Sequence, residues 1–274
     1  MARRLDFSDH RRELGTNRFV YAVVSRRAQG LSIGINLNPD KVCNFDCPYC
    51  QVDRTTPGAD AAIDLSVLAS ELTDLLERVV DGSLWDIAPF ESAAPELRRV
   101  ADIAFAGDGE PTAAPEFAAA ANIVRALRDA CAAAIPLRLL TNATLLHRSG
   151  VAAALPAFDE IWCKLDAGTE EYFHHVDGTT FPFPRILRNL RELATHRPIV
   201  IQSMFLTTDG VGPSDEEIAA WVERLREIGP ISSVQVYSVA RKPSVPTIGP
   251  LDLVRLGWIA DQARAAGFRA DVYG

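Results

Sequence analysis

Short apolar runs alternate with longer amphipathic stretches along most of this chain, and this alternation constrains its fold more than any other feature. Six of the apolar runs have the length and composition of strands: residues 31–37, 102–106, 137–141, 160–165, 199–206 and 233–239. Strands that alternate with helical stretches predict parallel strands joined by crossover helices. The predicted fold class is therefore α/β, a partial (β/α)6 barrel of the TIM type.

The helical stretches between these runs complete the predicted architecture. Helices are predicted near 61–80, 115–134, 145–155, 215–228 and 251–266, with one or two more in 169–196, interrupted at 181–184. Ser214 is expected to cap the helix over 215–228, and Glu217 to return a hydrogen bond to the Ser214 backbone. A last extended segment is predicted at 268–273.

The length of 274 residues suits one α/β barrel, so a single domain is predicted over 1–274. Its parts are an N-terminal extension (1–30), a barrel core (31–240) and a C-terminal helix and strand (241–274). The five cysteines form no evenly spaced framework, and no apolar run reaches the length of a membrane span. We therefore expect a cytoplasmic protein without membrane association.

Charge is unevenly distributed along the chain. The net charge of −8 should repel a polyphosphate backbone from most of the surface. Residues 1–27 are the exception, because they hold seven arginines and three acidic side chains. Arginine suits phosphate and carboxylate groups, so Arg26 and Arg27, nearest the first strand, are candidates for docking an anionic group.

Three cysteines follow the first predicted strand, separated by three and then two residues: Cys43, Cys47 and Cys50. An iron–sulfur cube normally takes four thiolates, so three from one loop leave one iron open to another ligand. A zinc knuckle is the alternative, but such sites generally have further Cys or His ligands at definite spacing. We predict a [4Fe-4S] cluster on these three cysteines. Cys131 and Cys163 are interpreted as small apolar residues in buried positions.

Polar side chains occur at or near the ends of five predicted strands, in phase with the face opposite the apolar one. They are Asn36, Asn142, Lys164 with Asp166, Gln202 and Tyr237. Barrels of this kind carry their chemistry at the carboxyl ends of the strands. These side chains therefore predict a polar cavity at that end.

The cysteine spacing, with the aromatic Tyr49 before the third cysteine, resembles the defining motif of the radical S-adenosylmethionine (radical SAM) superfamily. The segment 107–111, Gly-Asp-Gly-Glu-Pro, is similar to the superfamily's Gly-Gly-Glu-Pro, with Asp108 in place of a glycine. This resemblance implies that S-adenosylmethionine binds the open iron through its amino and carboxylate groups. It also implies reductive cleavage to a 5′-deoxyadenosyl radical, which abstracts hydrogen from a substrate.

Softer matches extend the resemblance to two further strand ends. Thr141-Asn142 looks like the superfamily's strand-three Thr-Asn, and residues 164–166 look like its Ser-Leu-Asp, with lysine in the serine position. Gln202 and Tyr237 are added by position alone. The candidate contacts with S-adenosylmethionine are Tyr49, Gly107, Asp108, Gly109, Glu110, Asn142, Lys164, Asp166, Gln202 and Tyr237.

Residues 24–27, 34–37 and 43–47 together resemble a branch of the superfamily related to wyosine-synthesising tRNA enzymes. This resemblance implies a nucleoside or tRNA base as substrate, and an electron donor such as flavodoxin or ferredoxin. The acidic remainder of the chain favours a small metabolite or peptide instead. A non-catalytic iron–sulfur or redox-sensing protein is the third interpretation.

Overall fold

A computed structural model describes residues 14–59, 62–241, 243 and 245–274. Arg3, Arg4, Arg11 and Arg12 lie outside these residues. Two compact units divide the chain, and the first contains the described residues up to Val42, Pro57–Leu140 and Arg148–Glu160. The second contains Cys43–Thr56, Thr141–His147 and the described residues from Ile161 onward. The single domain stays a prediction.

Four strands form the sheet of the first unit in chain order: β1 (Val20–Ser25), β2 (Gly30–Ile35), β3 (Val100–Phe105) and β4 (Leu137–Thr141). β2, β3 and β4 are parallel, as predicted, whereas β1 runs antiparallel to β2. Three helices accompany them: α1 (Leu65–Asp81), α2 (Phe117–Cys131) and α3 (Ser149–Ala154). Single-turn 3₁₀ helices lie at Ser83–Asp86, Phe90–Ser92, Pro95–Leu97, Pro111–Ala113 and Leu155–Ala157.

β1 is a strand that the sequence analysis did not predict. Its start is fixed by α1, because the Glu71 carboxylate accepts hydrogen bonds from the backbone N–H groups of Arg18, Phe19 and Val20 at 2.7–3.0 Å. A charged acceptor with three such donors fixes the start of the strand against the helix. The extra strand flanks β2, where the N-terminal segment was expected.

The second unit contains the remaining regular elements. Its parallel sheet has the order β5 (Glu160–Lys164), β6 (Ile199–Met204), β8 (Ile231–Tyr237) and β10 (Ala270–Tyr273). A separate antiparallel pair joins β7 (Leu206–Thr208) to β9 (Ile248–Pro250), two short strands that the sequence analysis did not predict either. The helices are α4 (Glu170–Asp177), α5 (Phe183–His196), α6 (Asp215–Ile228) and α7 (Leu253–Ala265). Each predicted core strand and helix is present, with ends that shift by a few residues.

One predicted contact at α6 is wrong. Ser214 caps the helix as expected, since its Oγ accepts from the Glu217 N–H at 3.2 Å. The Glu217 carboxylate does not return to Ser214, and it accepts instead from the backbone N–H groups of Gly168 and Thr169 and from the Thr169 hydroxyl. The backbone N–H groups of this turn after β5 need acceptors, and the Glu217 carboxylate supplies a charged one.

Within the described residues, no helix combines the length and the apolar character that crossing a membrane requires.

Candidate active site

The three motif cysteines lie on the cysteine loop, which we define as residues 43–50, in the second unit. Cys43, Cys47 and Cys50 are half-buried and form no disulfide. A tight turn brings the last two together, because the Cys50 N–H donates to the Cys47 carbonyl at 2.9 Å. One short segment thus presents three thiols without a disulfide between them.

Asn44 fixes the loop to the turn that follows β4. Its Oδ1 accepts from Asn142 Nδ2 at 2.7 Å, and its Nδ2 donates to Thr144 Oγ1 at 2.7 Å. The Thr144 hydroxyl donates in turn to Asn142 Oδ1 at 2.7 Å, which closes a ring of three side chains. Asn142, a predicted cofactor contact, therefore supports the cysteine loop directly.

Tyr49 links the loop to the carboxyl end of β5. Its hydroxyl lies 2.6 Å from Asp166 Oδ2, and Lys164 Nζ lies 2.9 Å from the same oxygen. Lys164 also donates to Tyr237 Oη at 2.6 Å, and its ammonium lies 5.2 Å and 4.9 Å from the two tyrosine ring centres. Asp166 is fully buried and accepts the Met204 N–H on its other oxygen at 2.7 Å. Four of the predicted site residues therefore form one network.

Burial and neighbouring charged groups together shift the pKa values in this network. Burial alone would lower the pKa of Lys164, but Asp166 and then Tyr237 raise that pKa above its ordinary value, so the ammonium persists. Burial, followed by Asp166, raises the pKa of Asp177 well above its usual range. Burial and then Asp177 raise the pKa of the Cys47 thiol. Metal binding at Cys47 would therefore release a proton.

The first unit contains the second predicted motif, in the turn after β3. A Cβ on Gly109 would lie 2.2 Å from the Val42 carbonyl oxygen, so only glycine allows this approach. Asp108 Oδ2 accepts from Asn36 Nδ2 at 2.7 Å, which gives the residue that departs from the superfamily motif a partner of its own. Asn36 also packs closely against Gly107, because a Cβ at position 107 would lie 2.3 Å from Asn36 Oδ1.

Glu110 and Gln202 have local partners. Glu110 is buried, and its Oε1 accepts from the Thr112 N–H at 3.2 Å and the Thr112 hydroxyl at 2.5 Å. Gln202 is also buried and donates to Gln235 Oε1 on the neighbouring strand at 2.7 Å. The structure describes all ten candidate contacts. Their contact with S-adenosylmethionine stays a prediction.

The donor set fits an iron–sulfur cube. Among the residues that the structure describes, no three His, Cys, Asp or Glu side chains converge on a point where one metal ion could be held. A cube takes each thiolate on a different iron, so three thiolates from one loop can hold three of its four irons. The Arg54 guanidinium donates a hydrogen bond to Cys50 Sγ at 3.7 Å.

A cavity of about 610 Å³ adjoins the cysteine loop. Its lining comes from the loop, from Arg54 and from the end of α4: Cys43, Asn44, Phe45, Asp46, Arg54, His174, Gly178, Thr179 and Thr180. The cavity is large enough for a small organic molecule.

One expectation needs correction, one stays a prediction, and one residue near the cysteines was missed. Cys163 is buried as expected, but Cys131 is exposed because it ends α2. Arg26 and Arg27 lie between β1 and β2, at the amino end of β2, about 20 Å of strand from its carboxyl end. Asp177, which lies 3.7 Å from Cys47 Sγ, belongs to no recognised motif and was missed.

Comparison with known proteins supports the sequence motifs. A family model described as Radical SAM superfamily matches residues 37–225. A UPF0026 protein of Methanocaldococcus jannaschii is 26% identical over 239 residues, which cover 84% of this chain and 66% of that protein. The chain spans 31% to 67% of the length of the curated relatives it matches.

Solved structures show the fold. A radical SAM methyltransferase from Sphaerobacter thermophilus aligns with a TM-score of 0.65 and 16% identity, over 93% of this chain and 68% of that one. TYW1 with a lysine-pyruvate adduct bound aligns with a TM-score of 0.60 and 13% identity, over 92% and 85% of the two chains. The predicted partial (β/α)6 barrel and the likeness to wyosine-related enzymes are confirmed at the level of fold.

Proposed function

Because the chain belongs to the radical SAM superfamily and is an enzyme of that class, we propose that Cys43, Cys47 and Cys50 hold a [4Fe-4S] cluster with S-adenosylmethionine on the fourth iron. The observation that carries the proposal is the presence of three half-buried thiols, none in a disulfide, on one loop that is fixed by side chains from elsewhere in its unit. When bound, the cluster and S-adenosylmethionine supply reductive cleavage to a 5′-deoxyadenosyl radical and hydrogen abstraction from a substrate.

The chain's own residues bind and orient. Lys164 offers a fixed ammonium at the carboxyl end of β5, and Asp166 offers a buried carboxylate that Tyr49 and the Met204 N–H hold in place. Asp166 is fully buried and holds the partly exposed Lys164 ammonium, which can orient a hydroxyl or carboxylate group of a ligand. The 107–110 turn supplies backbone groups that no side chain at Gly109 obstructs. We assign these residues to binding of S-adenosylmethionine.

The substrate we propose is a nucleoside or tRNA base. Support comes from the fold likeness to TYW1, a wyosine-synthesis enzyme. A small metabolite or peptide is the second candidate, favoured by the net charge of −8 and by the position of Arg26 and Arg27 at the amino end of β2.

An external electron donor completes the proposal. We propose flavodoxin or ferredoxin in this role, since cleavage of S-adenosylmethionine consumes one electron that the amino-acid side chains cannot supply. We also propose a cytoplasmic location, where thiols such as Cys43 stay reduced and able to bind iron.

Anaerobic reconstitution tests the cluster. We expect about four irons per chain in the parent protein and loss of the cluster in Cys47→Ala. Cys131→Ala and Cys163→Ala are the matched controls and should keep their iron. An intact cluster in Cys47→Ala would refute the ligand assignment.

The substrate is tested in a second step. Reconstituted protein with dithionite and S-adenosylmethionine should release 5′-deoxyadenosine and methionine. The same mixture is then given tRNA, or a tRNA-free extract of metabolites and peptides, and the products are analysed by mass spectrometry. Modified nucleosides support the first candidate, and products confined to the tRNA-free extract support the second.

A further inference from the structure

The carboxyl end of α4 is fastened to the cysteine loop through packing and backbone contacts. Phe45 is buried in the loop and meets Phe173 of α4 edge-on, with ring centres 5.8 Å apart. The Asp46 N–H donates to the Gly178 carbonyl at 3.2 Å. Gly178 ends the helix with φ +56°, and a Cβ there would lie 2.0 Å from the Asp46 carbonyl oxygen. Helix end and loop are therefore in backbone-to-backbone contact.

Asp177 adds a side-chain contact at the same place. It is 2% exposed, and its Oδ1 lies 3.7 Å from Cys47 Sγ and 3.0 Å from Tyr49 Oη. One carboxyl group thus joins two loop residues, one of which is a proposed cluster ligand. No motif in the sequence marks this aspartate, and its partners lie about 130 positions earlier in the chain.

We propose that Phe173, Asp177 and Gly178 form a clasp that holds the cysteine loop in its cluster-binding conformation, with Asp177 as the positioning residue for Cys47. The inference rests on the proposed function in taking Cys47 as a cluster ligand. The loop has no helix or strand of its own, so its three thiols reach one cube only if other elements fix it. Because the clasp orders the loop when the protein folds, cluster binding does not have to supply the entropic cost of ordering it.

Thiol alkylation of the metal-free protein tests the clasp without a cluster. Alkylation of each of the five cysteines is followed separately by mass spectrometry. Exposed Cys131 serves as the reference for the intrinsic rate of the reagent, and buried Cys163 reports global unfolding. Relative to Cys131, Asp177→Ala should raise the alkylation rate of Cys47 at least about fivefold, because the sulfur loses its partner and its cover. Asp177→Asn keeps the length and an acceptor oxygen, so it should stay within about twofold of the parent.

A glycine pair isolates the backbone contact. Gly178→Ala forces a Cβ against the Asp46 carbonyl, whereas Gly82→Ala places an equally left-handed residue, with φ +82°, where no atom lies within 4 Å. Both variants carry the strain of a left-handed alanine. Only Gly178→Ala should increase alkylation of Cys43, Cys47 and Cys50 while Cys163 stays protected.

Reconstituted protein provides the second readout. The half-life of the cluster absorbance under an iron chelator should shorten severalfold in Asp177→Ala and return towards the parent value in Asp177→Asn. An unchanged Cys47 rate in Asp177→Ala would overturn the proposal, as would a parallel rise at Cys163 in both Asp177→Ala and Gly178→Ala. The alkylation outcome is independent of whether the parent protein binds iron, so it separates failure of the clasp from failure of the proposed function.

Discussion

The Lys164–Asp166 pair is the buried ionic contact whose removal should be most costly. Asp166 is fully buried, and 19% of the Lys164 side chain is exposed, with Nζ 2.9 Å from the carboxylate. Lys164→Met removes the charge and keeps most of the side-chain length. Asp166 then stays buried without a cation, which typically costs about 3–5 kcal/mol. The Tyr49 hydroxyl and the Met204 N–H still donate to it, so we expect the lower figure, about 3 kcal/mol.

Thermal unfolding of the metal-free protein measures this cost. At about 2–4 °C per kcal/mol for larger domains, Tm should fall by about 6–12 °C in Lys164→Met. Arg226→Met is the control, because the Arg226–Glu223 pair is about half exposed on both sides and such pairs contribute about 0–1 kcal/mol. Adding Asp166→Asn to Lys164→Met should recover part of the loss, since it removes the orphaned charge. A fall in Lys164→Met no larger than that in Arg226→Met would refute the reasoning.

The pH dependence of the Tm difference between the parent protein and Lys164→Met gives an independent check. The pKa of Lys164 is raised in the folded protein, so its stabilising contribution is fully present below the unfolded pKa of about 10.4. It is lost as pH rises through the folded pKa. The groups that face the ammonium are Asp166, Asp177, Tyr49 and Tyr237, and they are common to parent and variant. The Tm difference between the two proteins should therefore hold from pH 7 to about 10 and shrink only above that.

Three further substitutions test the site. Gly109→Ala should lower the affinity for S-adenosylmethionine at least about tenfold with iron content retained, measured by equilibrium binding, because the new Cβ meets the Val42 carbonyl. Glu110→Ala should slow the release of 5′-deoxyadenosine with the cluster retained. If the variant and the parent release it at the same rate, Glu110 serves only the turn. Glu217→Gln should lower the free energy of unfolding by about 1–2 kcal/mol in urea titrations, since the Gly168 N–H loses a charged acceptor; no change would contradict that contact's role.

The repeating strands and helices could be predicted because their signals are local. α6 begins and ends where Ser214 and the Gly229 cap place it, at Asp215 and Ile228. β1 also carries a local signal, because residues 19–24 are apolar and the strand pairs with β2 after a short turn, so its omission was an error of interpretation rather than a lack of signal. β7 and β9 have three residues each, too few for any alternation to register.

Within the candidate site too, residues with a local sequence signal could be predicted and those that depend on tertiary contacts could not. Cys43, Cys47 and Cys50 carry their chemistry in their own spacing, and Lys164 and Tyr237 meet because carboxyl ends of parallel strands lie at one edge of a sheet. Asp177 gives no such signal: followed by Gly178, it reads as an ordinary helix terminus, and its role comes from what the fold places against it. The same holds for Glu217, whose local pattern predicted a capping box although its carboxylate serves a turn 48 residues away. A motif therefore marks residues whose chemistry can be predicted from their spacing, while those that hold the motif in place emerge only from tertiary contacts.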